Sequence, residues 1–128
     1  MKKVKLSIKC HKEIEKELDE VFSKFIRARD KRCCRCGSPK RLTASHYWSR
    51  RHKSTRFDED NVIALCFPCH IHQWEKEKQG DYKIYMTRRL GEQKMQLLEM
   101  KARSVAKYSA GELLCMLQYY QKKLEVMK

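Results

Sequence analysis

Two Cys-x-x-Cys pairs, Cys33-Cys34-Arg35-Cys36 and Cys66-Phe67-Pro68-Cys69, stand 29 residues apart. Two-residue spacing lets both sulfurs of a pair face one ion. Two such pairs complete the tetrahedral four-sulfur shell that structural Zn²⁺ prefers. Gly37 follows the first pair, where the tight turn of a knuckle needs a permissive backbone. The alternative spacing Cys34-x-Cys36 makes a poorer knuckle, so Cys33, Cys36, Cys66 and Cys69 are the expected zinc ligands. A site closed by four cysteines holds a fold and offers no open position for chemistry. Of the 7 Cys, Cys10, Cys34 and Cys115 are left over and read as small apolar residues.

A second set of residues is threaded through the first. Ser45-His46 and Asn61 lie between the knuckles, and His70 directly follows Cys69. An imidazole titrates near neutral pH and also binds metals, so histidines tied to two metal knuckles are candidates for chemistry. His72, two residues past His70, points elsewhere on a helix. The stretch 40–56 carries Lys40, Arg41, Arg50, Arg51, Lys53 and Arg56 without one acid. It brackets His46, which favours phosphate contact over a merely solvated face. Trp48 and Trp74 read as anchors of a small core in preference to base-stacking platforms.

These residues need elements to position them. Val4, Leu6 and Ile8 alternate with polar neighbours and predict a short strand or arm over 3–9. Ile14, Leu18, Val21, Phe22, Phe25 and Ile26 form one apolar stripe and predict a helix over about 11–30. Strands are expected in 41–48 and 62–66, and a helix over 68–79 with Pro68 in its first turn. Gly80-Asp81 is expected to break the chain, with Asp81 as the cap of a helix over about 82–90 that stops at Gly91. Met95, Leu98, Ala102 and Val105 mark a further helix. Ser109 and Glu112 form a capping box, ahead of Leu113, Leu117, Tyr120, Leu124 and Met127 at helical spacing.

Composition narrows the class. The chain has 128 residues, 30 Lys+Arg against 16 Asp+Glu, and a formal net charge of +14. So strong a positive field on a small body points to a polyanion, nucleic acid first. Only 4 Gly and 2 Pro argue against low-complexity disorder and against turn-dense β folds. No apolar run approaches the roughly 18 residues of a membrane span. Lys5 and Lys9 interrupt the residues after Met1-Lys2-Lys3, so no secretory signal is read there. A reducing compartment, and free or metal-bound thiols over disulfides, follow as expectations.

The order His46, Asn61, His70 set among the two knuckles resembles the HNH endonucleases, whose shared unit is the ββα-metal fold. Phe22-Ser-Lys-Phe-Ile-Arg27-Ala-Arg29-Asp30, His46-Tyr47-x-Ser49-Arg50, Arg56-Phe57-Asp58-x-x-Asn61 and Tyr85-x-x-Arg88-x-Leu90-Gly91 further resemble the phage NinG/Rap recombination proteins, over roughly residues 20–125. The resemblance implies an α+β fold: a zinc-stabilised ββα-metal core flanked by an N-terminal helix and C-terminal helices. Its expected parts are an arm and amphipathic helix over 1–32, the core over 33–79 and a helical extension over 80–128, packed as one compact unit.

It also implies metal-dependent hydrolysis of a DNA phosphodiester. His46 would be the general base. Asn61 would orient His46 or brace the loop. His70 would hold a catalytic Mg²⁺ or Mn²⁺, with DNA phosphate oxygens and water, helped by Ser45, filling its shell. Arg50 and Arg56 would clamp phosphates in a bidentate way, with Arg51 and Lys53 adding charge. Branched recombination intermediates would be the substrate, in the cytoplasm of a bacterial host, with a homodimer as one possible assembly and no membrane partner. Three other readings stand beside this one: an inactive zinc-stabilised DNA-binding protein, an HNH nickase of restriction, homing or packaging type, and a structural or protein-interaction role in which the basic surface is incidental.

Overall fold

The structure is a computed structural model. It describes residues 10–77 and 79–127, with backbone alone at 75–77. The strand or arm expected over 3–9 lies outside the described residues. In chain order the elements are α1 (His11–Asp30), β1 (Leu42–His46), α2 (Lys53–Arg56), β2 (Val62–Cys66), α3 (Cys69–Glu77), α4 (Gln79–Leu90), α5 (Glu92–Arg103) and α6 (Ala110–Met127). The protein is a small mixed α+β chain. Among the described residues no helix is long and apolar enough to cross a membrane. The chain divides into two compact units, one made of residues up to Phe25 with those from Lys107 onward, the other of Ile26–Ala106.

In the first unit the apolar stripe of α1 is buried at Ile14, Leu18, Phe22 and Phe25. Tyr120 of α6 meets the rings of Phe22 and Phe25 at centroid distances of 4.9 and 5.1 Å. The capping box is formed: the Ser109 backbone N–H donates to Glu112 Oε1, and the Glu112 N–H to Ser109 Oγ, both at 3.1 Å. Leu113, Leu117 and Tyr120 are buried behind it, while Met127 is exposed.

The second unit is built on the antiparallel pair β1–β2, in register from Leu42 opposite Cys66 to His46 opposite Val62. All five residues of β2 are buried, because the unit covers both faces of this strand. Isolated two-stranded sheets are marginal in water. Here Ile63 and Leu65 join Trp74 of α3 and Tyr82 and Met86 of α4 in one core, together with Cys33, Cys66 and Cys69.

The junction of α1 with the sheet is ionic. Asp30 receives Arg29 Nε at 2.9 Å, Arg89 Nη2 at 3.1 Å and the Ala64 backbone N–H at 2.9 Å. Arg29 also donates to the carbonyls of Glu59 and Val62 at 2.9 and 2.7 Å. Burial pushes the Asp30 carboxyl up, but Arg29, the Ala64 N–H and Arg89 together hold it below the ordinary carboxylate range.

Two expectations about elements are corrected. Gly80-Asp81 does not break the chain, since α4 starts at Gln79 and Asp81 sits in its first turn. Val105 does not continue α5: it lies beyond Arg103 and is 90% exposed. The helix stops there because its last carbonyls are taken by outside donors. Ser54 Oγ donates to Lys101 O, and His52 Nδ1 to Ala102 O at 3.1 Å. Those donors sit on and beside α2, a short helix the sequence reading does not contain. Gly91 does end α4, at φ 88° with its N–H on Thr87 O at 2.7 Å.

Candidate functional site

The knuckles converge. The sulfurs of Cys33, Cys36, Cys66 and Cys69 all lie within 4.8 Å of one another, with Cys36 and Cys66 3.6 Å apart. A tetrahedron with zinc–sulfur bonds of about 2.3 Å has edges of about 3.8 Å, so the donor set fits Zn²⁺. Gly37 takes φ 81° and closes the turn through its N–H on Cys33 O at 2.9 Å. The backbone N–H groups of Arg35 and Cys36 both point at Cys33 Sγ from 3.4 Å.

Burial pushes the Cys33 thiol up, but the N–H groups of Cys36, Cys66 and Arg35 outweigh it and bring the pKa to about 7. The Cys69 thiol is pushed up to about 12, by burial first and by its sulfur neighbours, against the pull of Arg35. Four thiols this close cannot all ionise in isolation; a dication removes the conflict. Arg35 Nη1 donates to Cys69 Sγ at 3.4 Å, a partner that orients a ligand and offsets its charge. Its place between the cysteines of the first knuckle is the signal that identifies it.

Cys34 is outside the cluster, as its spacing implies. Its thiol lies 3.7 Å from Asp30 Oδ2 and accepts from Arg89 Nη1 at 3.5 Å. Burial first raises its pKa, so it remains a thiol. Cys10 and Cys115 are exposed, so neither serves as a buried apolar residue.

The histidines are held by distinct partners. His46 Nε2 bonds Arg56 O at 2.9 Å. A carbonyl only accepts, so Nε2 carries the proton and Nδ1 the lone pair. For His70, Thr43 Oγ1 gives its proton to Leu65 O at 2.7 Å, so the 2.8 Å bond to His70 Nδ1 runs from the imidazole to the hydroxyl. The lone pair of His70 is therefore on Nε2. Thr43 and His46 are three positions apart on β1, about 10 Å of strand. His46 lines a cavity of about 430 Å³ with Tyr47, Trp48, Ser49, Trp74, Gln79 and Tyr82, whereas His70 is not among its lining residues.

Asn61 is fully buried. Its Oδ1 accepts from the Trp48 N–H at 2.8 Å, and its Nδ2 donates to Trp48 O and Thr55 O at 2.9 and 3.0 Å. Its side chain thus braces the loop from Tyr47 to Thr55, and its hydrogen bonds do not reach the His46 ring. Ser45 is also fully buried, with Oγ 2.8 Å from Tyr82 Oη. Strand alternation turns it into the core and away from the role of metal ligand.

Arg50 and Arg51 are exposed on the loop after His46, Lys53 is exposed at the start of α2, and Arg56 at its end is half-buried with its guanidinium 5.6 Å from the Phe57 ring centroid. Arg51 and Lys53 share a hollow with Arg103 from the end of α5. Arg103 also lies 5.8 Å from the Trp48 ring centroid. Arg103 and Gln79 are additions that no sequence motif marks, because each comes from an element distant in the chain.

The fold and its cysteine centre define a small α+β protein built around a four-sulfur site suited to a structural metal. The family model described as Bacteriophage Lambda NinG protein matches residues 1–128, and the chain belongs to that family. No curated protein and no solved structure matches the chain.

Proposed function

We propose that the protein is a DNA endonuclease of the HNH type that processes branched recombination intermediates, with His46 as general base. The observation that carries this reading is the His46 imidazole, held through Nε2–H on Arg56 O at 2.9 Å with its basic nitrogen on Nδ1. It ends β1, just before the loop that carries Arg50 and Arg51 and the short α2 that begins at Lys53. Water polarised beside a scissile phosphate would lose its proton to Nδ1, while the cations hold the phosphodiester. The antiparallel pair β1–β2, linked through the short α2 and followed by α3 from Cys69, supports a ββα reading. Asn61 supports the base indirectly, by fixing the loop that leads from His46 to Arg56.

A divalent ion belongs to this chemistry by resemblance, and it would neutralise charge on the phosphate and leaving oxygen. The protein donors found do not make such a site alone. His70 offers Nε2, but Ser45 is bonded to Tyr82 in the core, and the cysteine cluster is the only group of at least three His, Cys, Asp or Glu ligands among the described residues. No step is assigned to that ion.

The test is cleavage of four-way-junction, flapped and linear duplex DNA with Mg²⁺ or Mn²⁺, with His46→Ala in parallel. Structure-selective cutting that falls at least about 100-fold in the variant supports the reading, since general-base catalysis contributes about 10²–10⁴-fold. Tight binding without cutting, unchanged by the substitution, replaces it with the second reading, an inactive zinc-stabilised DNA-binding protein. The buried Ser45 is the observation that favours this second reading.

A further inference from the structure

We infer that the aromatic cavity beside His46 receives an unpaired nucleobase of the DNA, which sets the neighbouring phosphodiester against the His46 loop. This inference rests on the DNA-cleaving reading above and names the feature of the substrate that the site selects.

Four aromatic side chains line the cavity, from the loop after β1 and from α3 and α4. Trp74 and Tyr82 stack at 4.9 Å with an interplanar angle of 25°. Tyr47 stands edge-on to Tyr82 at 5.1 Å and to Trp48 at 6.1 Å. Trp74 and Tyr82 are buried, but Tyr47 and Trp48 are only half-buried and keep part of their rings accessible. A space of about 430 Å³ is ample for one base. A base locked in a duplex cannot enter it, whereas one at a flap, gap or junction does so at the lowest unstacking cost.

The polar lining suits a base edge. Gln79 carries an amide donor and acceptor side by side, and Ser49 a hydroxyl. Burial, then Glu99, raises the Tyr47 pKa, so its phenol stays protonated and able to donate. Trp74 is 5% exposed, and its indole N–H has no acceptor among the described residues. A buried donor left unpaired is costly, and an acceptor on an incoming base would offset that cost. Among the described residues, those that line the cavity include no carboxylate. Arg50 and Arg51 follow Ser49 directly, and Arg103 lies against Trp48. Cations around aromatic faces are the combination that binds single-stranded nucleic acid: charge for the backbone, stacking for the bases.

The experiment uses the full zinc-loaded chain and a flapped duplex carrying 2-aminopurine at an unpaired position, with a fully paired duplex as reference. Stacking in the cavity quenches the probe on binding. Trp48→Leu and Gln79→Ala each lower the preference for flap over duplex, about tenfold for Trp48→Leu given stacking of about 1–3 kcal/mol per base. Gln79→Ala is an exposed substitution in the first turn of α4, so it leaves a folded protein in hand. Binding without any change of the probe, or equal losses on flap and duplex in both variants, overturns the cavity inference and leaves the cleaving reading standing. Quenching that depends on Trp48, with no cleavage of any substrate, keeps the cavity and overturns the cleaving reading.

Discussion

Asn61 has no exposed surface, and each polar atom of its amide is used on the loop it braces. Asn61→Ala leaves the Trp48 N–H and two carbonyls without their partner. The expected cost is about 2–3 kcal/mol, read as a lower urea midpoint with the zinc content unchanged. Asp30 is the second residue on which much depends. Its carboxyl titrates below the ordinary range in the folded chain, so in mild acid the unfolded chain binds more protons. Stability from Asp30 is therefore complete above the unfolded pKa of about 4 and is lost as pH falls below it. Asp30→Asn should cost about 3 kcal/mol at neutral pH, because it strands Arg29 and Arg89 against one another. It should also flatten the acid limb of a stability–pH curve. Neither effect is legible in the sequence. Arg89 and Asp30 are 59 positions apart, and their pairing has no local signature. Ser45 is a similar case: alternation in a strand is readable, but the covering of that face by Tyr82 of α4 is not.

Among the elements, the knuckles were the most legible, because ligand geometry dictates spacing. The strands Leu42–His46 and Val62–Cys66 fall within or on their expected spans, since apolar runs between polar turns leave little choice. The ends of α4 and α5 were less legible. Propensity marks Gly80 as a breaker, yet a glycine near a helix start is tolerated at a cost of about 1 kcal/mol. Periodicity carries α5 on to Val105, but Ser54 and His52 take the carbonyls that would continue it. Ser54→Ala should therefore lower stability by about 1 kcal/mol, seen in a denaturant titration. Zinc is the larger lever. Structural zinc supplies about 10–16 kcal/mol in small domains that are unfolded without it. Chelation should abolish the cooperative melt of the Ile26–Ala106 unit, and added Zn²⁺ should restore it. A cooperative melt that survives verified metal loss would refute the structural role of the cysteine centre.

At the scale of the whole molecule, the net charge of +14 governs encounter more than fit. If DNA is held by phosphate contacts, log affinity should fall with log salt with a slope of about −0.9 for each neutralised phosphate. Replacing Arg50 and Arg51 by Ala should shallow that slope by about 2, measured by fluorescence anisotropy across a salt series. A slope unchanged by the double substitution would move the DNA contacts to another face. The sequence makes the charge plain. It does not show that Arg103 joins Arg51 and Lys53 around one hollow, because only the folded α5 delivers it there.

Among the described residues the sheet has two strands, and a strand with open backbone groups on its far side invites another chain to pair with it. β2 is closed against this by other means. Ala64 N–H is held by Asp30 Oδ2, Ala64 O by the Cys34 N–H, and Val62 O by Arg29. A side-chain carboxylate, a knuckle amide and a guanidinium occupy positions a neighbouring strand would use. Solubility and metal loading are thus joined. Once the knuckle loosens, Cys34 leaves Ala64, and the five buried apolar residues of β2 become a template for strand addition between molecules. Aggregates grown from metal-stripped protein should begin at Val62–Cys66, and Asp30→Asn should hasten their growth.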